Sequence, residues 1–201
     1  MSPMDDPRAG PAPAADTRGR VLDVAEAMAQ TRGFNGFSYA DISAEVGITK
    51  ASLHYHFRTK ADLGRSLIAR YRGAFRAALD AITASGGSAL ERLHAYVLLY
   101  ASVVRDDRMC LCGMFAAEYR TLPAAMQEEI RGFFDENESW LAEQLDEGRR
   151  AGELAFDGLP RETAMILLGA LEGMMLVARS YGDAARFEAS AKRLIEDLRP
   201  G

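Results

Sequence analysis

Apolar residues recur along this chain at intervals of three and four, the spacing that lines one face of an α-helix, and no stretch alternates apolar and polar residues for long enough to predict a strand. Val21, Val24, Ala25, Met28 and Ala29 form the first stripe, with Thr17 placed to cap its start and Gly33 to end it. Ser38 stands ahead of "YADISAEV" and Thr49 ahead of "KASLHYHF". Thr59 precedes a long segment from Lys60 to about Ser85, and each of the three hydroxyls is placed to satisfy free amides of a first helical turn. Leu90, Leu93, Val97 and Val104 mark a further helix, and a short one is expected from Met114 to Tyr119, ahead of Pro123. Met126, Ile130, Phe133, Phe134, Leu141 and Leu145 share a face of a long helix ending near Gly152. Helices over Arg161 to Tyr181 and Asp183 to Leu198 complete an all-α chain of nine or ten elements.

Composition sharpens this reading at the two ends. "MSPMDDPRAGPAPAAD", residues 1–16, has almost nothing to bury and is expected to be a mobile tail outside the fold. The rest, with 48% hydrophobic and 26% charged residues overall, is ordinary globular material. The formal charge of -5 conceals an asymmetry: residues 17–72 carry nine Lys/Arg against five Asp/Glu, a net +4, and the remainder is acidic. Two cysteines, Cys110 and Cys112, are too few for a disulfide framework, and no signal-like apolar run precedes the first helix, so a reducing cytoplasm is expected. The most apolar run, "TAMILLGALEGMMLVA" at 163–178, holds Glu172 and is shorter than the ~20 residues that cross a bilayer. It reads as buried helix, and no membrane partner is expected.

The chemistry concentrates in "ADISAEVGITKASLHYHF". Two short helices broken at Gly47 make a helix-turn-helix, with Ile42, Val46, Ile48 and Leu53 as the small core that sets the angle between them. Thr49, Lys50 and Ser52, then His54, Tyr55 and His56, are left to face outward, where hydroxyls, an ammonium and aromatic edges suit phosphates and base edges. Lys60, Ser38 and Tyr39 stand at helix starts, where free amides favour a phosphate. His54 and His56, two apart on a helix, point away from each other, so no metal site is expected. Gly-rich phosphate loops, H-E-x-x-H and G-x-S-x-G are absent from the sequence, which argues against an enzyme and for no cofactor.

The stretch "GFNGFSYADISAEVGITKASLHYHFRTKADL" resembles the DNA-binding domain of the TetR family of transcriptional regulators, in register over roughly residues 17–65 through its glycine, turn, aromatic cluster, Phe57 and Lys60. The resemblance implies operator-DNA contacts from Ser38, Tyr39, Thr49, Lys50, Ser52, Tyr55, His56 and Lys60. Where the family commonly has Tyr directly after the Leu of the second helix, this chain has His54. The resemblance further implies a helix-turn-helix domain over 17–62 and a ligand-binding and dimerising helical domain over 63–201, a homodimer acting as a repressor that a small-molecule inducer releases.

Suitable residues for those tasks are present. Gly169 and Gly173, four apart with Met174 and Val177 nearby, would let a partner helix approach closely. Phe115, Tyr119, Phe133, Trp140, Met174 and Met175 are the adaptable apolar groups a ligand pocket uses, and Glu118 and Glu172 are the acidic groups that would give it a polar contact. An alternative inducer is an oxidant or electrophile acting on Cys110 and Cys112; Arg108 favours a thiolate there, Asp106 and Asp107 oppose it. A second alternative is a helical small-molecule-binding protein without specific DNA binding.

Overall fold

A computed structural model of the chain describes residues 14–201, with side chains from residue 17 onward. Among the described residues there is no strand. Nine α-helices follow in order, α1 (Ala14–Arg32), α2 (Tyr39–Val46), α3 (Lys50–His56), α4 (Lys60–Ala84), α5 (Ala89–Arg105), α6 (Leu111–Ala117), α7 (Ala124–Arg150), α8 (Pro160–Tyr181) and α9 (Ala184–Glu196), with a 3-10 turn at Tyr119–Thr121 after α6. The expected all-α architecture is therefore correct.

Local chemistry explains most of the boundaries. Ser38 with Asp41, Thr59 with Asp62 and Ser88 with Glu91 form reciprocal capping boxes, each side chain accepting from or bonding to the other residue's amide. Two boundaries differ from the sequence reading. Thr17 does not cap α1 but lies inside it, because the helix-favouring Ala14 and Ala15 carry the backbone a turn further back. The expected tail lies outside the described residues through residue 13, and residues 14–16 belong to α1. The short helix starts at Leu111, three residues early, because Cys110 takes the capping position, its sulfur accepting from the Gly113 amide at 3.4 Å.

Two cores share α4. Val21, Ala25, Ile42, Val46, Leu53 and Phe57 close the first around Leu63, Leu67 and Ile68 of its N-terminal half. Beyond Ile68 the same helix carries Tyr71, Phe75 and Leu79 into a second core built by α5, α7, α8 and α9, in which α7 packs on α8 and α4, and α9 on α5 and α8. Arg70 pairs with Asp23 and Glu26 of α1 at 2.6 Å, and two residues on, from another side of the helix, Arg72 pairs with Glu129 and Glu136 of α7 at 2.7 and 2.6 Å. At these half-exposed positions, ion pairs set orientation more than they add stability.

The 22-residue α8 extends beyond the 163–178 run, and among the described residues it is the one helix long and apolar enough to span a bilayer. Ala164, Leu168, Leu171, Met175 and Ala178 nevertheless bury one side of it in the second core.

Gly47 ends α2 in the left-handed region at φ 74°, and the amides of Gly47 and Ile48 both donate to the Ser43 carbonyl at 3.0 and 3.1 Å. A side chain is costly in that conformation, so Gly47→Ala is expected to lower stability by about 1–2 kcal/mol, read from the urea midpoint at unchanged slope.

Candidate functional site

The turn from Gly47 to Thr49 sets α3 against α2 with Leu53 fully buried and Ile42 and Val46 beneath it. The Thr49 hydroxyl accepts from the Ser52 amide at 3.1 Å and starts α3 cleanly. The opposite face is open: Thr49, Lys50, His54 and Tyr55 are exposed, Tyr55 at 82%, while Ser52 and His56 are half-buried. Tyr55 thus presents a large aromatic ring to solvent beside the polar groups of the same face. His54 lies against the Tyr39 ring, centroids 4.9 Å apart, and its Nδ1 faces the Arg58 carbonyl at 3.2 Å. Ser38 remains exposed at the start of α2, donating to Asp41 at 2.7 Å.

Two residues expected on this surface are engaged in holding it together. The Tyr39 hydroxyl donates to the Phe57 carbonyl at 2.9 Å, and burial, with Asp62 nearby, pushes its pKa up to about 12. The Lys60 ammonium is not a free phosphate clamp: it donates to the carbonyls of Phe34 and Phe37 and lies over both rings, 4.6 and 4.3 Å from their centroids. Burial lowers its pKa, against the pull of Glu118 and Asp41. Loop carbonyls that no helix satisfies made this the better place for the charge.

Glu118 and Tyr119, placed in a ligand pocket by the sequence reading, lie instead at the junction of the two cores. The Glu118 carboxylate accepts from the Asn35 amide at 3.1 and 3.3 Å, and it sits so close over Gly33 that a Cβ there would meet it at 2.7 Å. Asn35 in turn donates to the Thr121 hydroxyl at 2.9 Å, and Phe115 meets Phe34 edge-on at 5.4 Å. The Tyr119 hydroxyl accepts from Arg131, and its carbonyl from Gln127. The Met109 amide donates to the Gln30 carbonyl at 3.2 Å, and Arg179 of α8 reaches the Thr31 carbonyl. The segment from Met109 to Thr121 therefore grips the end of α1 and the loop that leads into α2.

The other end of that segment faces a buried polar cluster. The Glu172 side chain points from α8 toward α6, a Cβ on Gly113 would collide with its Oε2, and its buried Oε1 has no hydrogen-bond partner. Cys110 and Cys112, both fully buried, lie beside it; burial first, then the Glu172 charge, drives both thiols well above their usual range. Tyr96 donates to Asn137 Oδ1 at 2.9 Å and meets the Tyr100 hydroxyl at 3.3 Å, with Trp140 stacked on Tyr96 at 5.4 Å. Trp140 donates to Thr83 at 3.0 Å, and Phe133 packs between Tyr71 and Phe75. Met175 is buried nearby on α8. Of the residues expected in a pocket, Cys110, Cys112, Phe133, Trp140, Glu172 and Met175 thus fall in this body. Tyr71, Phe75, Tyr96, Tyr100 and Asn137 were not foreseen, though two tyrosines and an asparagine on otherwise apolar helix faces were a readable signal.

On the outer side of α8, Met165, Ile166, Leu176 and Val177 are about half or more exposed, and nothing stands within 4 Å of a Cβ built on Gly169 or Gly173. Met174 and Val177 border a groove shared with Arg186 and Ser190 of α9.

An exposed second helix of a helix-turn-helix, mounted on a larger helical body with its own buried polar cluster, defines a DNA-binding regulator of the two-domain, all-helical kind. Residues 21–67 match the family model described as bacterial regulatory proteins, tetR family, and residues 89–194 the one described as tetracyclin repressor-like, C-terminal domain. The crystal structure of a TetR-family regulator from Agrobacterium tumefaciens aligns with a TM-score of 0.90 at 33% identity, covering 93% of this chain and 100% of that one. The HTH-type transcriptional repressor NemR of Escherichia coli K12 is 24% identical over 190 residues, 90% of this chain and 94% of its own. The transcriptional regulator AcuR of Cereibacter sphaeroides is 28% identical over 152 residues, 74% of this chain and 69% of its own. The chain belongs to the TetR family, which is made up of DNA-binding transcriptional regulators and not of enzymes.

Burial pushes the Glu172 carboxyl up from 4.5 to about 7, the Cys110 thiol opposing. A carboxyl that folding keeps protonated contributes its stability below the unfolded value and loses it as pH rises through the folded one. Wild type is therefore expected to lose thermal stability relative to Glu172→Gln as pH rises from 4.5 to about 7, the gap then staying level. Unfolding midpoints of the two proteins across that range decide it; a gap independent of pH would mean that the carboxyl does not titrate there.

Proposed function

We propose that this protein is a homodimeric transcriptional repressor released from its operator by a small-molecule inducer, with a DNA-binding domain over residues 17–62 and a regulatory domain over 63–201. The observation that carries the reading is the open face of α3, where Thr49, Lys50 and the 82%-exposed Tyr55 stand clear of a core sealed by Leu53. Placed in a major groove, Lys50 and Thr49 meet base edges or phosphates, and Tyr55 packs on a thymine methyl or sugar; Ser38, Ser52, His54 and His56 flank them. Tyr39 and Lys60 support the surface from behind through the bonds that they already make. The protein works where its DNA is, in the cytoplasm.

Two recognition helices must sit one helical turn apart, ~34–36 Å, and a dimer sets that distance. The exposed face of α8 suits the dimer contact: apolar side chains at Met165, Ile166, Leu176 and Val177, with Gly169 and Gly173 leaving room for a partner backbone. The buried cluster around Glu172 is the inducer site in this reading. The segment from Met109 to Thr121 links the two functions, since Cys110 and Gly113 touch the Glu172 carboxylate and Glu118 holds the loop before α2. An inducer that binds more tightly when this segment is displaced draws the protein toward a spacing the operator does not fit, by no more than that difference in affinity. The thiol-sensing alternative finds less support, because both sulfurs are buried and their neighbouring carboxylate disfavours the thiolate.

Gel shifts with the DNA upstream of its own gene, at physiological salt, test the first half. Lys50→Ala and Tyr55→Ala are each expected to weaken specific binding about tenfold or more, in line with ~1–3 kcal/mol per base contact. A wild-type shift that unrelated DNA competes away equally well would reject operator recognition. For the dimer, Ile166→Glu combined with Val177→Glu is expected to halve the mass in sedimentation while leaving helicity unchanged, because a charge on each helix would be buried unpaired; an undisturbed dimer would place the contact elsewhere.

A further inference from the structure

Glu172 is a carboxylate in a place where carboxylates are costly. Its Oε1 is buried and unpartnered, and Gly113 supplies the missing side chain that lets the group enter the body at all. The cations that could neutralise it are committed elsewhere. Arg72 serves Glu129 and Glu136, and Arg179 reaches the Thr31 carbonyl and the Met114 sulfur. Beside it instead lie the thiols of Cys110 and Cys112, and the buried hydroxyls of Tyr71, Tyr96 and Tyr100 are near enough to feel its charge. Tyr96 and Tyr100 are joined to Phe75, and Tyr71 to Phe133, by ring contacts of 5.2 to 6.0 Å running through Phe75.

An acid with a buried, unpartnered oxygen near an aromatic cluster matches one ligand chemistry. A positive charge is drawn both to the carboxylate and to the electron-rich faces of the rings. An anion would be repelled, and a neutral apolar molecule would leave the acid as unpaired as before. We propose that Glu172 anchors the charged end of a small organic cation, an ammonium carrying apolar substituents, with the tyrosines and Phe75 enclosing the remainder. The proposal rests on the reading of this domain as the inducer site. The acid is desolvated before the ligand arrives, so a bound cation takes the place of the proton that burial otherwise holds there.

The test uses matched probes on the purified full-length protein without DNA: benzylammonium against benzyl alcohol, and tetramethylammonium against tert-butanol, followed by calorimetry and thermal shift. The cations are expected to bind and raise the unfolding midpoint, and each neutral counterpart to bind about tenfold more weakly or not at all. Glu172→Gln, close in shape, should remove that preference, and Glu172→Asp should retain part of it. Absence of cation binding at millimolar concentration, or a cation preference that survives in both Glu172→Gln and Glu172→Leu, would overturn the proposal. Gel shifts on the same preparations separate the two readings: operator binding without cation binding rejects this proposal alone, and cation binding without operator binding rejects the regulator.

Discussion

The Lys60 ammonium is the interaction on which the packing of the DNA-binding domain against the start of α4 depends. The loop between α1 and α2 turns too sharply for its carbonyls at Phe34 and Phe37 to find helical partners, and Lys60, the first residue of α4, supplies one charge to both while resting on both rings. A charge taken partly out of water is tolerated when hydrogen bonds and aromatic faces replace the solvent. The result is that the start of α4 and the entry to α2 are held at one point. The recognition helix, whose own carboxyl end leads into α4 through Phe57, Arg58 and Thr59, is thereby positioned from both sides.

Around that point the second domain closes its grip. Glu118 accepts from Asn35, Phe115 packs edge-on to Phe34, and the Arg179 guanidinium and the Met109 amide donate to the Thr31 and Gln30 carbonyls at the end of α1. All but the Arg179 bond come from a segment that also lies against Glu172, at Cys110 and Gly113. A short stretch of chain thus touches both the buried polar cluster and the DNA-binding domain. The left-handed Gly33 is part of the same economy, since its missing side chain is what admits the Glu118 carboxylate.

The all-helical class, most helix limits and the helix-turn-helix were legible because they rest on local rules: apolar spacing, hydroxyl caps and a glycine free to take a positive φ. The α3 surface was legible for the same reason. Where expectations moved, longer-range forces had intervened. Glu118 was one acidic residue in an apolar stretch and so resembled Glu172, yet one satisfies a backbone amide at the domain junction and the other remains unpaired inside the second domain. Tyr119 left the expected pocket because the chain turns at Thr121 before α7 begins.

Sequence by itself determined which residues are helical, which face of α3 is polar, that the basic charge gathers in the N-terminal third, and that α8 carries more apolar surface than one packing face requires. Each of these follows from neighbours within a turn or two along the chain. Only the tertiary structure decided that Lys60 braces a loop, that Glu118 joins two domains, and that Tyr71, Tyr96, Tyr100 and Asn137 surround the region of a lone carboxylate. Such roles depend on which polar atoms lose water together and which of them find partners, and segments as far apart as α1, α4 and α8 settle that jointly.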